Sequence, residues 1–392
     1  MLQANIDAAK EKFAQLVASE AARIERMRNA PASPDYSKMD KIVIGVIPGD
    51  GIGPIVMKQT LRVLDKLLAK PIAEGRIEFR TITGLTIEER DAKRDCLPQE
   101  SVDQLKQCDV VLKGPITTPR PGDPWAALPS TVAALRRALE LDVSMRPVNN
   151  PVKGIDWVLF RENIEGEYIW GSKGIQVDED LAIDFRVETG LQSRHVARTA
   201  FEYARKNGRK HVTAVSKVNV VKLTDGNFLA ACREVAEDYP EIAYDEQLVD
   251  ITASKLGDPE FTKNMEVLVL PNLYGDIISD VAAELSGGVG TAGSASVGAK
   301  YALFEAIHGS APFLMNNNRG EYANPSSLMK AAGMLLAHIG YTDEAALFNK
   351  ALDICGYYER KLVVTSFRED ASTEEYTDYV LETIEKIQNG EK

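Results

Sequence analysis

The chain has 392 residues, of which 44% are apolar and 27% charged, and a formal net charge of −12 at neutral pH. This composition is ordinary for a soluble globular protein, and the length favours a large core divided between two domains. The negative charge argues against non-specific nucleic-acid binding, which needs a basic surface, but allows small anionic ligands held by a local group of arginines.

The N-terminal segment predicts an amphipathic helix, because apolar side chains recur at helical spacing from Leu2 to Val17. We expect it to pack on the body of the protein or on a partner, and Pro31–Pro34 to end it as a short linker. It lacks the apolar core of a signal peptide, and no apolar run is long enough to span a bilayer. The four cysteines are widely spaced, without C-x-x-C or zinc spacing, which favours a reducing, cytoplasmic setting.

From Lys41 onward, buried-looking strands alternate with helices. The predicted strands are Ile42–Pro48, Ile77–Ile82, Asp109–Lys113, Trp157–Phe160, Val212–Val215, Val267–Pro271 and Ala302–Glu305. The predicted helices are Ile55–Leu68, Val102–Gln107, Thr131–Leu139, Ser193–Asn207, one that opens at Asp276, and two C-terminal ones, Ser326–His338 and Thr373–Gln388. A glycine-rich stretch, 287–290, follows the Asp276 helix. Apolar strands alternating with helices predict an α/β fold with a largely parallel core sheet.

The segment Gly49-Asp-Gly51-Ile-Gly53 lies between a predicted strand and a predicted helix, where a dinucleotide-binding turn would lie. A Rossmann fingerprint needs two residues before its third glycine, and this segment has one. No strand ending in an acid follows at the expected distance. A tight turn that requires glycine conformations is therefore the better interpretation.

Two carboxylates, Asp276 and Asp280, follow the predicted strand Val267–Pro271. If Asp276 opens a helix, Asp280 lies one turn further along the same face. Carboxylates at the end of a parallel strand suit a hard divalent cation. From the spacing alone, a helix cap beside a solvated acid is an equally good interpretation.

Three arginines lie at the ends of predicted elements, where they can point into one crevice: Arg136, Arg146 and Arg161. Arginine is suited to bidentate recognition of carboxylates, and Ser130 offers a hydroxyl donor nearby. A single arginine of this kind is usually a surface charge. Three of them beside two acids favour a binding site for a carboxylate ligand.

Two further features are weak signals when each is taken alone. Lys217 ends the strand Val212–Val215, where a lysine tends to face a site and can transfer protons, and Tyr168 is a candidate acid partner. A loop rich in glycine and proline, His308–Pro312, is followed by Asn324 and can hold an adenine ring by its edges.

Together these segments resemble the isocitrate and isopropylmalate dehydrogenase family of β-decarboxylating dehydrogenases. The resemblance runs from about Lys41 to the C-terminus and is specific, because several long motifs occur in the right order. The matching segments are Ile47–Pro54, Leu112–Pro119, Leu135–Arg137, Met145–Pro147, Phe160–Asn163, Asn272–Asp280 and Ala306–Pro312.

The resemblance implies a two-domain α/β fold with a mostly parallel sheet that is not a Rossmann fold. A large, cofactor-binding domain would combine residues 39–141 and 284–392. A small domain for substrate binding and dimerisation would span residues 142–283, and residues 1–38 would form a helical extension. An arm at about residues 164–192 would clasp its counterpart in a homodimer, or within a higher oligomer.

The resemblance also implies an activity, the metal-dependent oxidative decarboxylation of isocitrate to 2-oxoglutarate and CO2 with reduction of NAD. Mg²⁺ or Mn²⁺ would be held by Asp276 and Asp280 together with the partner's Asp250. Tyr168 and the partner's Lys217 would transfer protons. The substrate would be bound by Ser130, Val132, Arg136, Arg146 and Arg161. The cofactor would be bound by Ile116, Thr118, His308, Gly309, Ser310, Ala311 and Asn324.

The helix that carries the first substrate arginine separates the possible substrates. Isocitrate enzymes have an asparagine where this chain has Val132, and homoisocitrate enzymes resemble Ser130–Arg137 closely. Pro129 and Ala133 replace the glutamate and second leucine typical of isopropylmalate enzymes. Isocitrate is the leading expectation, supported by Leu112–Pro119, and homoisocitrate, 3-isopropylmalate or another 3-substituted malate is the alternative.

The same comparison predicts NAD rather than NADP. NADP enzymes of the family place a Lys-Tyr pair and a later arginine where this chain has Phe313–Leu314 and Glu369. The acid usual in NAD enzymes is also missing, and Arg319, in a small insertion, leaves NADP as the alternative. A catalytically silent regulatory homologue is the non-enzyme alternative, but it would have lost site residues, and only Val132 departs from the pattern.

Overall fold

The structure is a computed structural model that describes residues 2–29, 33–170, 174–288 and 292–391. The predicted linker at Pro31–Pro34 and the glycine-rich stretch at 287–290 both lie partly outside these described residues. Within them, no disulfide bond joins any of the four cysteines. No helix in the described ranges is long and apolar enough to cross a membrane.

A mixed sheet of ten strands organises the chain, and a separate pair, β6 and β7, lies in the predicted arm. The strands are β1 (Ile42–Ile47), β2 (Ile77–Thr81), β3 (Val110–Lys113), β4 (Val143–Asn150), β5 (Ile155–Glu162), β6 (Ile175–Gln176), β7 (Ala182–Ile183), β8 (His211–Ser216), β9 (Ala243–Leu248), β10 (Val267–Leu270), β11 (Gly293–Val297) and β12 (Ala302–Ala306). The order in the large sheet is β2-β1-β3-β12-β11-β4-β5-β10-β8-β9.

The large sheet is parallel in its two outer blocks and antiparallel in the middle. Strand β11 pairs antiparallel with β12 and β4, and β4 pairs antiparallel with β5. The remaining pairs are parallel. The predicted α/β fold with a largely parallel sheet is confirmed.

The helices cover both faces of this sheet. They are α1 (Leu2–Arg28), α2 (Gly53–Leu67), α3 (Ala69–Ala73), α4 (Ile87–Lys93), α5 (Gln99–Leu105), α6 (Thr131–Ala138), α7 (Gly190–Lys206), α8 (Thr224–Ala236), α9 (Val249–Lys255), α10 (Pro259–Thr262), α11 (Asn272–Ser286), α12 (Pro312–Asn316), α13 (Ser326–His338), α14 (Thr342–Asp353) and α15 (Thr373–Gln388).

Both predicted C-terminal helices, Ser326–His338 and Thr373–Gln388, are confirmed, and one expectation about a helix start is wrong. The helix expected to open at Asp276 begins at Asn272, directly after Pro271, which occupies the N-cap position. Proline cannot continue a strand ladder but suits the first positions of a helix, so the change of structure comes one turn earlier. Helix α14 lies between the two C-terminal helices that the sequence predicted.

Strand β10 shows why the central strands read as continuous apolar runs. All four of its residues are buried. Val267 and Val269 belong to the apolar cluster with α7 and α8 on one face, whereas Leu268 and Leu270 belong to the cluster with α11 on the other. Because side chains alternate along a strand, a sheet covered on both faces requires apolar residues at every position.

Helix α1 packs on the predicted arm of its own chain. Its Leu16 is buried in a small apolar cluster with Ile164, Ile169 and Trp170. The ring of Phe13 lies 5.1 Å from that of Phe185. The predicted amphipathic helix is therefore present, and its apolar face contacts the protein's own arm.

Candidate active site

Asp276 is the point at which several predicted site residues meet. One of its carboxylate oxygens accepts hydrogen bonds from Arg161 and, at 3.3 Å, from Arg146. The other accepts from the Tyr168 hydroxyl at 3.1 Å. Asp280, one turn later on α11, accepts from Arg146 at 3.0 Å. The structure thus brings together the two acids, two of the three arginines and the tyrosine.

The two arginines converge because of the register between β4 and β5. Arg161 pairs with Ser144, two residues before Arg146, so the two arginines are diagonal neighbours on one face. Helix α11 lies against this face through Gly275, where a Cβ atom would be 2.7 Å from the Arg161 stem. Asn272 then accepts from the Arg161 Nε at 2.9 Å and fixes the plane of the guanidinium.

The charges of this group influence each other strongly. Burial lowers the pKa of Arg161 to about 10, and the positive charge of Arg136 acts in the same direction. Burial works to raise the pKa of Asp276, but the arginines, Arg161 first, outweigh it and lower that pKa. Burial raises the pKa of Tyr168, and the neighbouring Asp276 raises it further. At neutral pH the group therefore contains cationic arginines, an ionised Asp276 and a protonated tyrosine.

A cavity of about 170 Å³ lies beside Arg136 and Arg146, and Val132 also lines it. Within the described part of the chain, the buried Nε atoms of these two arginines have no hydrogen-bond partner. Buried donors of this kind are costly unless a ligand or water satisfies them. The cavity therefore suits a small ligand that carries several acceptor oxygens.

Glu305 and Lys113, which were not among the predicted site residues, both line this cavity. The Nζ of Lys113 lies 2.8 Å from the Glu305 carboxylate, and Arg136 lies 3.5 Å from it. Burial works to raise the pKa of Glu305, but Lys113 and Arg136 outweigh it and hold that pKa at about 2. Lys113 and Glu305 lie at the ends of their strands, and a charged residue at such a position could have indicated a site in the sequence.

A second cavity, of about 850 Å³, adjoins the first. All seven residues predicted to bind the cofactor line it: Ile116, Thr118, His308, Gly309, Ser310, Ala311 and Asn324. Three of these residues, Ile116, His308 and Gly309, also line the smaller cavity. Burial lowers the pKa of His308, and its buried Nε2 has no hydrogen-bond partner among the residues that the structure describes. A neutral imidazole edge is therefore free to bind a ligand in the cleft.

The turn at Gly49–Gly53 braces the walls of this larger cleft. The backbone N–H of Ile52 donates to the Ser310 carbonyl at 3.1 Å, and the N–H of Asp50 donates to the Pro115 carbonyl at 2.7 Å. Gly51 has a φ of +56°, and a Cβ atom there would lie 2.2 Å from the Ser310 carbonyl oxygen. The glycines therefore allow close backbone packing in a tight turn, which agrees with the interpretation made from their spacing.

Three predicted site residues have other partners in this chain. The Nζ of Lys217 pairs with Asp250 at 2.7 Å, and this bond lowers the pKa of Asp250. Among the described residues, neither contacts Asp276, Asp280 or Tyr168 through a hydrogen bond or ion pair. Ser130 caps α6, because its Oγ accepts from the Ala133 N–H at 3.3 Å.

The residues that fit a metal ion are Asp276 and Asp280. Carboxylate oxygens are the ligands that Mg²⁺ and Mn²⁺ prefer, and both side chains reach the crevice, with exposures of 34% and 57%. Within the described parts of the chain, no group of three or more histidine, cysteine or acidic side chains is arranged to hold a metal. One chain therefore offers part of a cation site.

The fold and the site define a class of protein. It is an α/β protein with a small cationic cavity for a multiply charged anion, beside a longer cleft of the size that a nucleotide cofactor needs. A sequence profile of the isocitrate/isopropylmalate dehydrogenase family matches residues 43–380, and the chain belongs to this family. The resemblance predicted from the motifs is confirmed.

Two relatives and one solved structure show the range of the likeness. The NADP isocitrate dehydrogenase of Rickettsia prowazekii is 38% identical over 321 residues, or 79% of this chain, and the chain spans 62% of that protein's length. The homoisocitrate dehydrogenase of Methanocaldococcus jannaschii is 34% identical, covering 88% of this chain and 98% of the relative. The crystal structure of isocitrate dehydrogenase from Methylococcus capsulatus gives a TM-score of 0.77 at 32% identity, covering 88% and 99% of the two chains.

Proposed function

We propose that the chain is a metal-dependent enzyme that oxidises and decarboxylates isocitrate to 2-oxoglutarate and CO2 with NAD. One observation carries this proposal: the cationic cavity beside Arg136 and Arg146 shares three lining residues with the cleft of the predicted cofactor residues. A carboxylate ligand bound in the first cavity is therefore next to a cofactor bound in the second. Hydride transfer requires such contact.

The arginines bind and orient the substrate. Arg136 and Arg146 each have a buried Nε without a partner among the described residues, and Arg161 is held in place by Asn272. Fixed guanidinium groups bind carboxylates in one orientation, which lowers the entropy cost of reaching the reactive arrangement.

Tyr168 is the proton donor in this proposal. Its hydroxyl lies 3.1 Å from Asp276, and its raised pKa keeps it protonated at neutral pH. It can therefore deliver a proton to the substrate carbon that loses CO2. Asp276 and Asp280 would hold Mg²⁺ or Mn²⁺ with the partner's Asp250. When bound, the cation supplies Lewis-acid stabilisation of charge on the substrate oxygen, and the nicotinamide accepts the hydride.

The contacts of Arg319 favour NAD over NADP. Phe313, Leu314 and Ser366 line the larger cleft. Arg319, the cation that left NADP open, donates through its Nε at 2.6 Å to the Ser366 carbonyl and stacks on Phe367 with 4.3 Å between guanidinium and ring centre. Because these donors are engaged by the backbone, Arg319 is poorly placed to meet a 2′-phosphate.

Homoisocitrate is the second candidate substrate, favoured by one observation. Val132 presents an apolar side chain to the small cavity, next to Arg136, at the position where isocitrate enzymes of the family carry an asparagine. An apolar contact accommodates an additional methylene group more readily than an amide does.

A panel assay of isocitrate, homoisocitrate, 3-isopropylmalate and malate with Mg²⁺ and either NAD or NADP tests these proposals. We expect NADH and 2-oxoglutarate from isocitrate. Strong turnover of another malate with none of isocitrate would refute the substrate assignment, and equal or better rates with NADP would refute the cofactor assignment. Asp276→Asn should abolish metal-dependent turnover. If the unaltered protein binds isocitrate but does not turn it over, a silent regulatory homologue is favoured.

A mixing experiment tests whether two copies share each site. Chains carrying Asp276→Asn and chains carrying Lys217→Met should each be inactive. If the partner's Lys217 completes the site, dimers re-formed from an equal mixture contain one intact site in half of the molecules, and about a quarter of full activity returns. Activity that stays at the level of the two variants would show that each site belongs to one chain.

A further inference from the structure

A buried arginine links the walls of both cavities. Arg90, on α4, is fully buried, and its guanidinium donates hydrogen bonds to three different segments. The acceptors are the Leu85 carbonyl at 3.1 Å, the Thr131 hydroxyl at 2.8 Å and the Thr117 carbonyl at 3.0 Å. Five fixed donors in a planar fork allow arginine, unlike lysine, to join several acceptors at once.

Asp50 neutralises this arginine and extends the connection. Its carboxylate accepts from Arg90 at 2.8 Å, and also from the backbone N–H groups of Thr117 and Ile87 at 2.8 Å each. Its own N–H donates to the Pro115 carbonyl at 2.7 Å. A buried charge pair whose members are satisfied on all sides holds its neighbours in one arrangement.

The segments joined in this way are the ones that form the two cavities. Thr117 lies in the loop 115–118, of which residues 116–118 line the large cleft, and its hydroxyl is 2.7 Å from that of Ser310, which lines the same cleft. Thr131 is the first residue of α6, the helix that carries Val132 and Arg136 into the small cavity.

We propose that Arg90 is a positioning residue that fixes the cofactor loop 115–118 and the substrate helix α6 relative to each other. The inference rests on the proposed function, because it assigns these two elements to the cofactor and the substrate. Arg90 itself lies behind both cavities and lines neither. Arg90 therefore influences the reaction only through its contacts with Thr117 and Thr131.

Two variants test the proposal by separating its two connections. Arg90→Lys keeps the charge opposite Asp50 but cannot span Thr117 and Thr131. We expect Arg90→Lys to raise the Kd of NADH and the KM for isocitrate, each by about 10- to 100-fold. The Kd is measured from NADH fluorescence in the absence of substrate. Thr131→Val removes only the contact to α6, so it should raise the substrate KM by about tenfold and leave the NADH Kd near that of the unaltered protein.

Thr60→Val is the matched control. Thr60 is also fully buried, but its hydroxyl donates only to the Val56 carbonyl within α2, so its loss should leave both constants unchanged. If Arg90→Lys and Thr131→Val lower the melting temperature while the NADH Kd and the substrate KM stay unchanged, Arg90 is merely structural and the proposal is overturned. Failure of the unaltered protein to bind NADH would overturn the proposed function, and this inference with it.

Discussion

A buried ion pair connects helix α1 to the body, and its contribution is measurable. Arg23 on α1, with a side chain 13% exposed, pairs with the fully buried carboxylate of Glu165 and with Glu20 on its own helix. Among the described residues, Glu165 otherwise accepts only from the N–H and the hydroxyl of Thr189, both at 2.7 Å. Replacing Arg23 with alanine should therefore loosen α1 from the arm.

The expected loss is smaller than that for a fully buried pair. Removing one partner from such a pair costs about 3–5 kcal/mol. Glu165 keeps its two bonds from Thr189, and because burial already raises its pKa, it can take up a proton when Arg23 is lost. We therefore expect Arg23→Ala to destabilise the docked helix by about 2 kcal/mol, which increases the undocked population about 30-fold.

Hydrogen exchange measured by mass spectrometry checks this prediction. Amides of α1 should exchange about 30-fold faster in Arg23→Ala, while those of β10 should not change. Arg26→Ala on the same helix is the control, because Arg26 lies 3.9 Å from Glu140 with both side chains more than 60% exposed, and such pairs contribute under about 1 kcal/mol. Equal exchange in the two variants would refute the reasoning.

Three further predictions concern the site and the core. Val132→Asn should shift the ratio of kcat/KM toward isocitrate and away from homoisocitrate by about tenfold or more, and an unchanged ratio would contradict the role given to this side chain. Gly51→Ala should raise the cofactor Kd and cost more stability than Gly208→Ala, since both have positive φ but only Gly51 faces the Ser310 carbonyl. Burial lowers the pKa of His338 from its ordinary value of 6.5 to about 4, so the folded protein disfavours the protonated imidazole. The free energy of unfolding is therefore highest above pH 6.5 and falls by up to about 3 kcal/mol as the pH decreases to 4. Urea titrations at several pH values should show that the free energy of unfolding depends less on pH in His338→Phe.

The strands that the sequence analysis missed lack the pattern on which it depended. Strand β4 contains Arg146, Pro147 and two asparagines, and β11 is built mostly of glycine, serine and alanine. Their burial comes from neighbouring strands and from α13, so no local apolar run indicates them. Strand β10, whose apolar run is covered on both faces, was predicted to within one residue.

Site residues were predictable as residue types, but the contacts among them were not. The motifs placed Arg146, Arg161 and Asp276 in one site, and the structure joins them. The pair of Arg90 and Asp50 joins residues 40 positions apart, and each alone resembles an ordinary surface charge in the sequence. Only the packing of α4 against the turn at Gly49–Gly53 makes that pair recognisable.

The charge balance of the site bears on the choice of substrate. The described side chains around the small cavity and Asp276 include four cations and three carboxylates, which leave one net positive charge. They are Lys113, Arg136, Arg146, Arg161, Asp276, Asp280 and Glu305. A bound divalent cation would raise the excess to three, because the partner's Asp250 and the partner's Lys217 cancel each other. A tricarboxylate neutralises that excess, whereas a dicarboxylate such as 3-isopropylmalate leaves a buried charge unbalanced, which is costly in a site of low polarity. The same balance would allow a protein with a net charge of −12 to bind the proposed trianionic substrate.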